Sequence, residues 1–263
     1  MPDRLGELGV RAAQTSLFVL ETIAFAEEPL GVTQIAARIG LSKGAVFRHL
    51  QGLVERGYVD QDDVTARYRL GTRTALVGRF AVAGNELMAA AARPMREVRD
   101  QTSITTVLTA PTAAGALVLS TVIGSRLVEI GVRPGGILTF HGSAQGKVML
   151  AFGGPALMKR CLAHGLTTLT SYTITDPGAI KDEVLKVAAQ GYAIAPEESV
   201  LGINVVAAPV FGARDELAAA VALVGSIHFL PRQPEPALIA AVKDMAREVS
   251  RNLTRAPAGW GRA

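Results

Sequence analysis

The sequence predicts an α+β protein built in two parts, and three observations carry that prediction. Short apolar-periodic helices and one strand pair fill residues 10–71. From residue 104 onward, β-branched runs alternate with helical runs, punctuated by Gly and Pro. Between them lies one long helical stretch over residues 72–101, with an interruption expected at Pro94. With 49% hydrophobic and 19% charged residues over 263 positions, each part can bury a core.

In the first helix, Ala13, Leu17, Leu20 and Ala24 recur at helical spacing and are expected to form its apolar face. Glu28-Pro29 closes it, because the residue before a proline is pushed out of the helical region. A second helix covers residues 32–39, with Ile35, Ala36 and Ile39 inward. Gly40 supplies the left-handed turn, which Leu41 is expected to fill. Ser42 caps a third helix whose apolar face is Val46, Leu50, Leu53 and Val54, ended by Arg56-Gly57. Tyr58-Val59-Asp60 and Arg67 to Gly71 then read as a hairpin, with Tyr68 and Leu70 inward. That order is a winged helix-turn-helix over residues 1–71.

A helix-turn-helix lays its last helix in the DNA major groove. With Val46 and Leu50 inward, the outward face carries Lys43, Gly44, Phe47, Arg48 and Gln51. Arg48 and Gln51 can read base edges, Phe47 can touch a thymine methyl, and Gly44 permits close approach. Ser42 and Lys43 sit at the helix start, where free amides suit phosphate. The charge follows the same division. Residues 38–79 hold eight basic and four acidic side chains, net +4, against net −3 for residues 1–37. The hairpin tip, Asp62-Asp63, is acidic, so phosphate contact is expected from Arg67 and Arg69 on the wing's flank.

Taken together, these stretches resemble the IclR family of bacterial regulators. The matching stretches are Ile35-Ala36, Leu41 to Arg48, Leu53 to Val59 and Tyr68 to Gly71, then His141 to Lys147 and Gly202 to Val210. The similarity spans residues 10–254. It implies a linker helix over residues 72–84 and a GAF-like α/β effector-binding domain over residues 85–254. It also implies a homodimer or tetramer on double-stranded, pseudo-palindromic operator DNA, with affinity set by a small-molecule effector, most often as a repressor. A tail over residues 255–263 is expected to be disordered. Leu76, Phe80, Ala83 and Leu87 form a stripe suited to a dimer seam, or to packing on their own domain.

In the second part, strands are expected over residues 104–110, 116–123, 127–132, 203–210 and 217–225, with a hairpin turn at Thr112 to Gly115. Helices are expected over residues 142–152, 155–163, 180–190 and 235–253. The segment Ser143 to Lys147 fails as a P-loop, because His141 and Val148 stand where Gly and Ser or Thr are needed. It fails as a Ser-x-x-Lys pair by one residue of spacing. Two readings stay open: a plain N-cap, or a ligand site in which Ser143 caps a helix and the amides of Ala144 and Gln145 receive an anion. In the resembling family this helix start lines the effector pocket. Members that sense small oxo-acids carry an acid, Cys or Ser at the positions occupied here by Ala195, Val205, Ala222 and Val224. Four apolar residues there imply a larger or more apolar effector, such as an aromatic acid.

An enzyme is the rival class, and a ligand-sensing module acting through protein contacts is a third. Cys161 is the sole cysteine and has no adjacent base, the four histidines lack metal-ligand spacing, and Glu197-Glu198 reads as an exposed, solvated pair. No metal or cofactor is expected. The first residues carry acids and no apolar run, and the most apolar stretch, residues 218–224, is too short to span a bilayer. A cytoplasmic location is expected.

Overall fold

The computed structural model describes residues 3–79 and 82–255, with side chains described over residues 11–79 and 86–255. The chain divides into two compact units, Met1–Val82 and Ala83–Ala263.

The first unit contains α1 (Asp3–Ala24), α2 (Val32–Ile39), α3 (Lys43–Glu55), β1 (Val59–Gln61), β2 (Tyr68–Leu70) and α4 (Thr72–Arg79). Gly40 adopts φ 70° and ends α2, and Ser42 Oγ accepts from the Ala45 amide at 3.3 Å to start α3. The three helices close on Val19, Ile23, Ile35, Val46 and Leu50, with Val59 and Tyr68 of the antiparallel wing beneath. Leu30 and Tyr68 exchange both backbone hydrogen bonds, which ties the α1–α2 connection to the wing.

Four expectations fail in this unit. The inward face of α1 is Ser16, Val19, Leu20 and Ile23, while Ala13 is exposed, as is Leu17 at 56%. Apolar residues lie on more than one side of α1, so spacing alone could not choose the face. The helix also ends at Ala24, four residues before Glu28-Pro29. Leu41 and Leu70 are exposed rather than packed; Tyr68 alone in β2 is buried.

The second unit contains α5 (Val82–Thr102), β3 (Thr105–Pro111), β4 (Ala116–Val122), β5 (Ile137–Leu138), α6 (Ala144–Phe152), α7 (Pro155–His164), α8 (Pro177–Gln190), β6 (Ala193–Ile194), β7 (Ile203–Phe211), β8 (Leu217–Ser226) and α9 (Pro236–Arg255). The strands form one antiparallel sheet in the order β5-β4-β3-β8-β7-β6. Helices α5 and α9 cover one face, over Leu108, Val206, Val210, Val221 and Leu223. On the other face α6 and α8 cover Ala207, Ala220 and Ala222. Covered on both sides, β7 and β8 read as continuous apolar runs rather than alternating ones.

Helix α5 passes through Pro94 without interruption. A proline lacks the N–H that would reach back four residues, and Asn252 Nδ2 of α9 donates to the Ala90 carbonyl so exposed, at 3.1 Å. Residues 127–132 are not a strand: Leu127 and Val128 are 102% and 81% exposed. The partner of β4 is the two-residue β5 instead. The proposed stripe of Leu76, Phe80, Ala83 and Leu87 does not form one seam. Leu76 is exposed, Leu87 joins Ala91, Met95 and Val98 in the core of the second unit, and the side chains of Phe80 and Ala83 lie outside the described residues. Arg255 ends α9, and the rest of the expected tail, residues 256–263, lies outside them too. Among the described residues, no helix is long and apolar enough to cross a membrane.

Candidate functional site

Two sites, one in each unit, carry the candidate chemistry. In the first unit, Val46 and Leu50 anchor α3 at zero exposure, which turns Lys43, Gly44, Phe47, Arg48 and Gln51 outward together; Ser42 is exposed at its start. Phe47 is 45% exposed, a large apolar ring left in water. Neither Lys43 nor Arg48 makes an ion pair among the described residues. A Cβ on Gly44 would meet nothing of the protein within 4 Å, so internal packing does not require a glycine there. His49 shares a 2.8 Å hydrogen bond with Ser16 and pins α3 to α1.

The wing is built by its acidic tip. Asp62 accepts from the Thr65 amide at 2.7 Å, the Thr65 hydroxyl at 2.7 Å and the Val64 amide at 3.2 Å. These bonds hold its carboxyl below the usual range, led by the Thr65 amide. Arg67 and Arg69 are both exposed, yet they differ. Arg67 Nη1 donates to the Pro29 carbonyl at 2.9 Å, whereas the Arg69 side chain makes no hydrogen bond or ion pair among the described residues and helps to lower the Asp62 carboxyl through its charge.

In the second unit, Ser143 Oγ accepts from the Gly146 amide at 3.0 Å and donates to the Thr139 carbonyl at 2.7 Å. Among the described residues, the amides of Ala144 and Gln145 have no such partner. Gly146 is obligatory: a Cβ there would lie 2.3 Å from the Phe140 carbonyl oxygen. Helix α6 is buried from Ala144 through Leu150. Its start meets the expected sheet positions. The Ala195 amide donates to the Val205 carbonyl at 2.9 Å, Val205 pairs with Val224, and Ala222 pairs with Ala207 two residues along, on the same face. Ala144, Ala195, Ala222 and Val205 share one apolar cluster, and Val205 joins Val224 in the next. The structure therefore packs Ala144, Ala195 and Ala222 together with half-buried Val205, with Val224 beyond Val205 and with buried Ser143 and Gln145 flanking Ala144 in the chain.

Sequence reading missed the polar groups beside it. Thr105 pairs with Val224 on the same face and is fully buried, its Oγ1 accepting from the Gly124 amide. Gln145 is 1% exposed, and its Oε1 has no hydrogen-bond partner. Glu197 and Glu198 are buried, not solvated as expected. Glu197 accepts from the Gly202 amide and pairs with Arg232, whose guanidinium stacks over Tyr172. Glu198 pairs with Lys147, itself fully buried, at 2.5 Å. The segment carrying them lies along the first turn of α6, with Ser199 Oγ donating to the Gly142 carbonyl and Lys147 Nζ to the Ile194 carbonyl. No nearby signal marks these pairs in the sequence; the partners stand 51 and 35 positions apart. Cys161 is buried, and burial pushes its thiol up, away from the reactive thiolate.

Both units match known proteins. Residues 13–63 match a family model described as the IclR helix-turn-helix domain. Residues 79–251 match one described as the bacterial transcriptional regulator IclR C-terminal domain. The chain is 30% identical over 250 residues to the glycerol operon regulatory protein of Streptomyces coelicolor, covering 93% of this chain and 96% of that one. It is 25% identical over 244 residues to the transcriptional repressor IclR of Escherichia coli, with 92% and 89% covered. Among solved structures, an IclR homologue from Microbacterium hydrocarbonoxydans complexed with 4-hydroxybenzoate superposes with a TM-score of 0.77 at 21% identity, covering 92% and 98%.

Proposed function

The chain belongs to the IclR family of bacterial transcription regulators, and from that premise we propose that it is a repressor whose α3 reads the major groove of a pseudo-palindromic operator. It is a DNA-binding regulator with a C-terminal effector-binding domain; its homologues regulate transcription and are not enzymes. The reading places its work in the cytoplasm, with residues 72–84 connecting reader to sensor. The observation that carries the groove assignment is the outward face of α3, with Lys43 and Arg48 unpaired. Arg69 on the wing is free for a phosphate, and Arg67 reaches one only by leaving the Pro29 carbonyl. Leu17, Phe18, Leu76 and Val77 are all exposed in the first unit, which supports pairing with a second copy as dimer or tetramer.

Our reading of the effector follows from the polarity of the α6 start. Two amides there seek an acceptor, and the buried Gln145 Oε1 seeks a donor. The strand positions around them are apolar. An aromatic acid that also carries a hydroxyl satisfies all three demands, and a relative of the same fold is a complex with such a molecule. The decisive test of the regulator is a gel shift at fixed salt with the DNA upstream of its own gene. A specific shift released by a hydroxybenzoate supports the proposal; binding no tighter than to unrelated DNA overturns it. Calorimetry separates effector classes. Tight glyoxylate or pyruvate binding with no response to aromatic acids would sink the effector reading and leave the DNA reading standing.

A further inference from the structure

A cavity lies away from the α6 start. It is a cleft of about 660 Å³ between the C-terminal end of α8, the last residues of β7 and the outer face of α9. Its floor is apolar: Phe152 and Phe211 meet edge to face with centroids 5.6 Å apart, beside Ala208, Pro209 and Ala246. Its rim is cationic. Lys243, Arg247 and Arg251 stand one turn apart along α9, and Asp215 is the one carboxylate among the lining residues.

The three cations are not equally committed. Lys243 Nζ donates to the Gln190 carbonyl at 3.0 Å and so caps α8. Arg247 pairs with Asp244 on its own helix, an exposed contact that costs little to exchange. Arg251 makes no ion pair among the described residues.

The cleft also follows an open strand edge, because β6 pairs with only Val206 and Ala207 of β7. An extended peptide would need backbone donors on that edge. It finds none: Pro209 has no N–H, and the Phe211 N–H is donated to Ser250 Oγ at 2.9 Å. Strand addition is therefore disfavoured. What remains is an apolar floor under a positive rim, in a volume typical of small-molecule sites.

We propose that this cleft is a second ligand site, for a small amphiphilic carboxylate whose apolar body covers Phe152 and Phe211 and whose anion meets Arg247 and Arg251. It lies at the far end of α6 from the effector neighbourhood at that helix's start, and the two assignments fail independently.

The test is a fluorescence titration of the full chain with 8-anilinonaphthalene-1-sulfonate, an aromatic anion, followed by displacement with octanoate or with 1-octanol. The expected result is a saturable signal displaced by octanoate at least about tenfold more effectively than by the neutral alcohol. The double variant R247A/R251A, both at exposed positions, weakens the dye by about tenfold or more with an unchanged circular dichroism spectrum. The variant Gln145→Leu leaves it unchanged. Equal displacement by octanol, or full affinity in the arginine variant, overturns the proposal and leaves only an apolar patch. A loss in the Gln145 variant instead assigns the dye to the α6 site and also overturns it.

Discussion

Lys147 Nζ lies 2.5 Å from Glu198 Oε1 in the interior of the second unit, with Glu183 as a second carboxylate at 3.5 Å. Removing the ammonium leaves Glu198 buried without its cation, beside the partly exposed carboxylate of Glu183. Lys147→Met is expected to lose about 3–5 kcal/mol in urea denaturation, the range for breaking one side of a buried pair. Glu198→Gln keeps Lys147 bonded to Glu183 and the Ile194 carbonyl, and is expected to cost clearly less. Equal costs would contradict this arrangement.

The same pair predicts a pH dependence. Burial raises the Glu198 carboxyl above its ordinary range, Lys147 opposes that, and Glu183 adds to it. Between the unfolded pKa and the raised folded one, the folded chain binds more protons than the unfolded chain. Stability from this group therefore falls as pH rises through that window, and the penalty is fully present above the folded value. Denaturation midpoints measured across mildly acidic pH should lose this slope in Glu198→Gln. An unchanged slope would assign it to other groups.

Asn252 and Pro94 form a second testable pair, acting on the Ala90 carbonyl. Asn252→Ala is expected to cost about 1–2 kcal/mol, because the carbonyl is left without a donor. In a Pro94→Ala background the helix supplies that donor itself, and the cost should shrink. Additivity of the two substitutions in a double-mutant cycle would contradict the compensation.

Two glycines separate folding from recognition. Gly146→Ala drives a methyl into the Phe140 backbone and is expected to destabilise the second unit by several kcal/mol or prevent folding. Gly44→Ala meets nothing and lies in the first turn of α3, so stability should hold or rise by up to about 0.5–1 kcal/mol. DNA affinity should nonetheless fall in Gly44→Ala if a groove wall approaches that backbone. Unchanged affinity would remove Gly44 from the interface.

Where structure is set by neighbours in the chain, the sequence was legible. Gly40 and Ser42 mark the ends of α2 and α3 by local cap chemistry, and the outward residues of α3 follow from Val46 and Leu50. The α6 start was readable from Ser143 for the same reason. Features set by distant partners were not. The two-residue strands β5 and β6 exist only through pairing with β4 and β7. Glu198 is buried because Lys147, 51 residues earlier, awaits it. Leu127 and Val128 have strand-like side chains but no covering layer. The face of α1 was misread because the helix is apolar on more than one side, with Leu17 and Phe18 exposed next to buried Val19.

The proposed groove contact of α3 centres on Arg48. Fluorescence anisotropy with a labelled duplex from upstream of the gene, at fixed salt, tests it most directly. Arg48→Ala should raise Kd for that duplex by about 5–150-fold, the range for a lost base contact of about 1–3 kcal/mol, while calorimetric effector binding stays as in the parent chain. An unchanged Kd in Arg48→Ala would contradict the groove assignment.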